Sequence, residues 1–244
     1  MFSLNPSLQS YSWGSKTLIA DLRGEESPTQ HPQAELWYGA HPAAPADIAG
    51  VPLTDIIAAD PDRELGAAVR ARFGDRLPFL LKILAVAEPL SLQAHPSLAQ
   101  AQEGFQRENA QGIDVRAGNR NYRDDNHKPE LIVALTPFHA MAGFRPLAAT
   151  LELFAALDCP SLARYVGMID STGEEAVNLR MLFTTWITIP AAVRKQLIDD
   201  IIVAAKRVVA EGSAAEWQRE TLANIIELDT HYPGDVGVLG ALLL

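Results

Sequence analysis

Cysteine is almost absent from the sequence: Cys159 is the only one in 244 residues. A single thiol excludes an intramolecular disulfide and any zinc site built from several cysteines, and it fits a reducing, cytoplasmic location. The N-terminus has no basic region followed by an apolar run, so we expect no signal peptide. No apolar stretch is long enough to span a bilayer, which predicts a soluble, globular chain without a membrane partner.

Basic residues are also scarce, with 20 Lys and Arg against 30 Asp and Glu, a formal charge of −10 and a pI of about 5.0. Proteins that bind nucleic acids or anionic membranes usually carry a basic surface, so we predict neither partner. A small anionic substrate stays compatible, because it needs only a few local Lys or Arg side chains. The chain also lacks a GxGxxG motif, a P-loop and internal repeats.

Hydrophobic residues make up 48% of the chain, which is enough for a core shared by one or two domains. Short alternating or continuous apolar stretches predict several strands, at residues 11–15, 34–42, 77–86, 90–95, 130–135, 137–144 and 236–244. The polar stretch 106–126 predicts a long loop, a kind of segment that is often functional.

Helical signals dominate the chain after Pro146. Apolar residues there recur every three to four positions, beginning with Leu147, Leu151, Phe154 and Leu157. Pro190 stands where a first helical position is expected. We therefore predict a helical subdomain over residues 146–230.

One polar row interrupts the apolar pattern of the first part of the chain. In the predicted strand at 90–95, Gln93 and His95 project to the same side, and in a second strand Lys128 and Glu130 share one side, just after His127. A mixed set of imidazole, carboxylate and amide oxygen suits zinc or another divalent metal with an open position. With one carboxylate such a site keeps a net positive charge and acts as a Lewis acid. The same alternation also fits an ordinary solvent-facing strand, and the residues alone do not separate the two interpretations.

Lys82 lies in the middle of the apolar run 77–86. Its charge must be paired or must face a polar cavity, which makes it a candidate for binding a phosphate. A lysine in a strand also often extends its ammonium group to water, so both interpretations stay open.

Several motifs together resemble the type I mannose-6-phosphate isomerases. They occur in the order known for that family, and the pair Gln-Ala-His-Pro and Asn-His-Lys-Pro-Glu is the most specific part. The matching segments are Trp13-Gly14-Ser15, Ala34-Glu35-Leu36-Trp37-Tyr38-Gly39-Ala40-His41-Pro42, Leu77-Pro78-Phe79-Leu80-Leu81-Lys82, Leu90-Ser91-Leu92-Gln93-Ala94-His95-Pro96, Asn126-His127-Lys128-Pro129-Glu130, Gly143-Phe144-Arg145-Pro146 and His231-Tyr232-Pro233-Gly234-Asp235.

The resemblance implies a mainly β fold with an α insertion: a cupin-type β jelly roll and an all-helical subdomain. The jelly-roll catalytic domain would cover residues 1–145 and resume at 231–244, and the helical domain would cover 146–230. The implied activity is the interconversion of mannose 6-phosphate and fructose 6-phosphate through an enediol, a step of carbohydrate metabolism and GDP-mannose biosynthesis. The implied protein is a cytoplasmic monomer with one zinc ion per subunit and a small sugar phosphate as its partner.

The resemblance also implies roles for eight residues. These are metal ligands Gln93, His95 and Glu130, catalytic residues His127 and Lys128, and substrate-binding residues Trp13, Lys82 and Ser91. A metal that holds the sugar oxygens stabilises the developing oxyanion, and a nearby base must carry the proton. His127 suits ring opening or proton transfer, since an unperturbed imidazole titrates near neutrality. Lys128 suits polarisation of the carbonyl or proton transfer, and both assignments stay open.

The sequence departs from the family at its end. The fourth metal ligand of the family is a histidine on a later strand, followed by an active-site arginine, and neither has a counterpart before Leu244; His231 comes too early. We therefore expect either part of a longer enzyme or a shortened natural form, and a chain that by itself binds metal weakly and has little or no isomerase activity. Two other classes stay open: an iron-dependent cupin oxygenase and a non-catalytic sugar-binding cupin.

Overall fold

The computed structural model describes residues 3–244. They fall into two compact units that divide between Leu90 and Ser91, and each unit is described by itself. The predicted domain boundaries, 1–145 with 231–244 against 146–230, stay a prediction.

The first unit is built on a small antiparallel sheet. Its strands are β1 (Ser7–Gln9), β2 (Glu35–Tyr38) and β5 (Leu81–Leu84), in the order β1-β2-β5, and a separate hairpin joins β3 (Asp47–Ile48) to β4 (Val51–Pro52). Three helices accompany them: α1 (Leu18–Arg23), α2 (Leu53–Ala59) and α3 (Pro61–Phe73). The predicted strands at 34–42 and 77–86 are therefore confirmed over their central residues, whereas 11–15 contributes only isolated bridges at Gly14 and Ser15.

The sheet of the first unit has one apolar and one polar face. Leu36 and Ile83 are cross-strand partners on the apolar face, where they pack with Ile19 of α1. Side chains of a strand alternate between faces, so Trp37 and its partner Lys82 project to the opposite side. This alternation places a lysine in an otherwise apolar strand without burying its charge in the core.

The second unit is helical. Its helices are α4 (Leu98–Ala110), α5 (Leu147–Leu157), α6 (Ala163–Val166, preceded by a 3₁₀ turn at Pro160–Leu162), α7 (Glu175–Thr188), α8 (Ala191–Glu211), α9 (Glu216–His231) and α10 (Val236–Ala241). Ser97 and Gln100 form the capping box that opens α4. The predicted helical region is confirmed, because apolar residues at helical spacing bury one stripe of each helix in a common core.

Aromatic and aliphatic side chains fill that helical core. Trp186 is fully buried, with the rings of Phe154 and Tyr165 at 6.1 and 5.9 Å between centroids. Cys159 lies in the same core, and burial raises the pKa of its thiol. The single cysteine therefore serves packing, since a buried thiol with a raised pKa is unreactive.

The end of the chain is helical, and the strand predicted for 236–244 is wrong. A short apolar run has the same pattern in a buried strand and in a buried helix, so periodicity does not separate them. Here the Asp235 carboxylate accepts the Gly237 N–H at 2.7 Å and caps α10. Leu239 and Leu243 are then fully buried in the helical core.

Within residues 3–244 the structure forms no strand at three further predicted positions, 90–95, 130–135 and 137–144. A strand needs a neighbour for its backbone hydrogen bonds, and no backbone ladder reaches these stretches within residues 3–244. The cupin-type jelly roll is accordingly not seen in this part of the chain. Its strands form only sheets of three and two, and helices predominate.

Among the described residues, no single helix has the length and apolar character needed to cross a membrane. Helices α7 and α8 meet that measure only as a pair, and the chain bends by 116° between them.

We predict that Ile198→Ala destabilises the helical unit by about 2–5 kcal/mol, because the substitution leaves a cavity at a fully buried position of α8. Val203→Ala on the same helix is the matched control, since Val203 is 70% exposed. Urea unfolding followed by circular dichroism measures both free energies. A control that loses as much stability as Ile198→Ala would contradict the assignment of the core.

Candidate metal centre and substrate-binding residues

Three predicted metal ligands converge in the second unit. His95 Nε2 lies 3.4 Å from Gln93 Oε1 and 3.9 Å from Glu130 Oε2. Glu130 comes from a separate segment that lies beyond α4 and the polar loop. The side chains are one third exposed for His95 and about half exposed for Glu130, so the three donor atoms meet at the surface of the unit.

The spacing of these atoms fits a zinc ion. Donors that lie about 2.0–2.2 Å from a tetrahedral zinc are separated from one another by about 3.4 Å, close to the two distances observed. Within residues 3–244 no group of three His, Cys, Asp or Glu side chains forms an alternative centre. A metal centre at these residues would therefore need the amide oxygen of Gln93 as its third donor.

Packing beneath Gln93 fixes the segment that carries it. Its neighbour Leu92 packs against Gly240 of α10 so closely that a Cβ on this glycine would lie 2.7 Å from Leu92 Cδ1. The segment following Glu130 is also anchored to the end of the chain, because Arg145 donates to the carbonyl oxygens of Leu242 and Leu243. These contacts take the place of the strand pairing that the sequence predicted.

The predicted catalytic residues lie in the turn before Glu130. The Asp124 carboxylate accepts the Asn126 N–H at 3.0 Å and pairs with Lys128 Nζ at 3.1 Å. Lys128 is about half exposed, and His127 is also exposed. Asp124 thus shapes the turn and holds the ammonium group with one side chain.

Lys82 has its own electrostatic partner in the first unit. Its Nζ lies 3.6 Å from Glu35 Oε1 and 5.0 Å from the centre of the Trp37 ring. Trp37 Nε1 donates to Glu35 Oε2 at 2.6 Å, and the Trp37 ring makes an edge contact with His41. The lysine is therefore paired rather than buried alone, and 30% of its side chain is exposed.

The two remaining predicted substrate-binding residues are placed differently. The Trp13 ring stacks on Tyr11 at 5.6 Å in the first unit, while Ser91 is exposed at the start of the second. Their roles stay predictions.

Comparison with known proteins decides the family. The family described as "Phosphomannose isomerase type I, catalytic domain" matches residues 1–147, more than half of the chain. The protein belongs to the type I phosphomannose isomerases. The resemblance found in the sequence motifs is thereby confirmed.

Individual relatives of the phosphomannose isomerase family agree with this assignment. The chain is 39% identical to a mannose-6-phosphate isomerase of Escherichia coli, over 100% of this chain and 60% of the relative. It is similar to a zinc-bound crystal structure of a mannose 6-phosphate isomerase, with 38% identity, a TM-score of 0.82, and coverage of 99% of this chain and 59% of that one. A Salmonella typhimurium enzyme bound to fructose 6-phosphate and zinc gives 36% identity, a TM-score of 0.80, and coverage of 100% and 60%. The chain thus spans about 60% of the length of these phosphomannose isomerases.

The sequence analysis does not identify two acidic residues, Glu35 and Asp124, as partners of the candidate site. Glu35 lies in a family motif, and its alternation with Trp37 in β2 is a signal that both face one side. Asp124 lay in the predicted loop, four positions before Lys128, and that loop was identified only as a whole. In both cases only the structure shows which acidic side chain pairs with the lysine, Glu35 with Lys82 and Asp124 with Lys128.

We predict that Glu35→Ala destabilises the sheet of the first unit by about 1–3 kcal/mol, because a well-buried carboxylate that accepts a hydrogen bond from Trp37 and pairs with Lys82 is lost. Hydrogen exchange of the β2 amides measures this loss locally. Glu25→Ala is the control: its partner is Arg23, both side chains are about 40% exposed, and the expected change is below about 1 kcal/mol. Equal effects of the two substitutions would contradict a stabilising role for the contacts of Glu35 with Lys82 and Trp37.

Proposed function

We propose that the protein catalyses the interconversion of mannose 6-phosphate and fructose 6-phosphate at a zinc centre. The observation that carries the proposal is the convergence of Gln93 Oε1, His95 Nε2 and Glu130 Oε2 in a chain of this family. The relatives named above support it, since one is bound to zinc and another to fructose 6-phosphate and zinc.

Gln93, His95 and Glu130 would hold the zinc ion. One imidazole, one carboxylate and one neutral amide oxygen leave a divalent cation with a net positive charge and an open coordination position. When bound, zinc supplies a Lewis acid that stabilises negative charge on the sugar oxygens. A second carboxylate in place of the glutamine would offset that charge, which is a physical reason for an uncharged third donor.

The proton-transfer groups are assigned to the segment Asn126–Glu130. Isomerisation moves one proton from C2 of mannose 6-phosphate to C1 and the hydroxyl proton from O2 to O1, while the carbonyl shifts from C1 to C2. We assign the C2 proton, and the proton that opens the sugar ring, to the pair His127 and Lys128. Asp124 holds the Lys128 ammonium group at 3.1 Å, which fixes the position of its charge for polarising the carbonyl.

Substrate binding is assigned to Lys82, Trp13 and Ser91. Lys82 supplies positive charge for the phosphate, and its pairing with Glu35 and the Trp37 ring fixes where that charge lies. The acidic composition of the whole chain makes this local cation more significant, because a sugar phosphate is itself an anion.

The fold of this function is proposed to be the cupin-type jelly roll of the family. Leu131, Val133 and Leu135 support it, since these alternating apolar side chains are 73–90% exposed and a packed sheet would bury such a row. A cytoplasmic location is supported by the single buried cysteine. A monomeric state remains our prediction.

We predict that the chain binds one zinc ion and that His95→Ala weakens binding by more than about 10-fold, because even outer-shell partners of metal ligands contribute about 10–100-fold. Isothermal titration with zinc measures both affinities. His139→Ala is the matched control, as His139 is exposed and lies outside the three donors. A zinc affinity that does not change in His95→Ala would refute the proposed centre.

We predict slow, zinc-dependent formation of fructose 6-phosphate from mannose 6-phosphate in a coupled assay at saturating zinc. Lys128→Met should lower kcat by about 10²–10⁴-fold, the range of general acid–base catalysis, whereas Lys206→Met on the exposed side of α8 should not. A chain that binds zinc and sugar phosphate without turnover would favour a sugar-binding cupin. Turnover that requires ferrous iron and oxygen would favour an oxygenase.

A further inference from the structure

A buried ion pair lies outside the proposed metal centre and has no part in the proposed chemistry. Glu108, near the end of α4, and Arg120, in the polar loop, are each 4% exposed, and Arg120 Nε lies 3.1 Å from Glu108 Oε2. Taking two charges out of water is costly unless they are paired and fully hydrogen-bonded. The remaining donors and acceptors of both side chains must therefore have hydrogen-bond partners in the protein.

Glu108 holds the end of the polar loop. Its carboxylate accepts the backbone N–H groups of Asn121 at 3.2 Å and Tyr122 at 2.9 Å, and the Asn121 side-chain amide at 3.0 Å. The Tyr122 N–H, together with Asn121 and the charge of Arg120, holds the pKa of the Glu108 carboxyl below its usual range. The carboxylate is thus charged at neutral pH and fixes two consecutive amides.

Arg120 holds the other side of the same loop. Its guanidinium donates to the Ile113 carbonyl at 2.7 Å, to the Tyr122 carbonyl at 2.5 Å and to the Asn109 side chain at 2.8 Å. The first of these partners lies where the loop begins and the second where it ends. The two side chains together close the loop onto α4.

The Tyr122 ring packs against α4 at Gly104, where the absence of a side chain leaves room for it. A Cβ placed on Gly104 would lie 2.5 Å from three atoms of the ring, so only glycine permits this contact. The chain then continues to Asp124, which shapes the turn and holds Lys128, and on to Glu130. Tyr122 thus lies two residues before Asp124 and eight before Glu130, so its position limits where both can lie.

We propose that the Glu108–Arg120 pair, through Tyr122 on Gly104, is the positioning device of the segment that carries Lys128 and Glu130. Neither residue of the pair is a metal ligand or touches the reacting groups; both act through the loop. This inference rests on the proposed zinc centre, because the consequence of correct placement is that Glu130 reaches His95.

Cobalt(II) is the probe for the test, since its visible absorption reports affinity and ligand geometry without requiring turnover. Glu108→Gln should weaken cobalt binding by about 10-fold and alter the spectrum, and it should accelerate hydrogen exchange at Asn121 and Tyr122 in the metal-free chain. Glu103→Gln is the matched control on the same helix: its carboxylate is 79% exposed and should leave both readouts unchanged.

A second pair of variants avoids altering buried charge. Gly104→Ala improves the helix propensity of α4 but displaces the Tyr122 ring, so it should weaken cobalt binding in a folded chain. Gly118→Ala is its control, because a Cβ at Gly118 meets nothing within 4 Å. Suppose that Glu108→Gln and Gly104→Ala leave the cobalt affinity and spectrum unchanged, while His95→Ala weakens cobalt binding. This result would overturn the positioning role alone. If His95→Ala gives the same cobalt spectrum as the unsubstituted chain, the metal centre is overturned and this inference with it.

Discussion

The approach of Glu130 to His95 is the constraint on which the proposed chemistry depends. The two residues belong to segments without regular secondary structure, separated in sequence by α4 and a long polar loop. Irregular backbone does not hold donor atoms in place by itself, so the geometry must come from neighbouring contacts. The structure supplies them as a close contact of Leu92 on Gly240, a buried ion pair behind Tyr122, and the hydrogen bonds of Arg145 to the last residues of the chain.

These supports explain why the helical part of the chain matters to a site that contains no helical residue. Helix α10 underlies the segment of Gln93, and α4 holds the loop that leads to Lys128. A site placed on loops but fixed by buried helices combines accessible ligands with a rigid base. Lys82 is supported in a comparable way in the first unit, where the register of β2 and β5 aligns it with Trp37 and Glu35.

The proximity of the three predicted donors could be anticipated from the sequence, whereas the backbone that carries them could not. Gln93 and His95 were expected on one side of a strand, and they do converge, although the strand is absent from the described residues. The helices after Pro146 were predictable because their apolar spacing reflects local burial. The partners Glu35 and Asp124 were not, since they depend on strand register and on a turn. The run after Asp235 was assigned to a strand because apolar residues alone do not distinguish a buried helix from a buried strand.

X-ray absorption at the zinc K edge of the zinc-loaded chain tests the central claim most directly. The account predicts a shell of nitrogen and oxygen only, at about 2.0–2.2 Å, with the scattering pattern of an imidazole that disappears in His95→Ala. A sulfur ligand, or a spectrum in which the imidazole pattern survives that substitution, would contradict it.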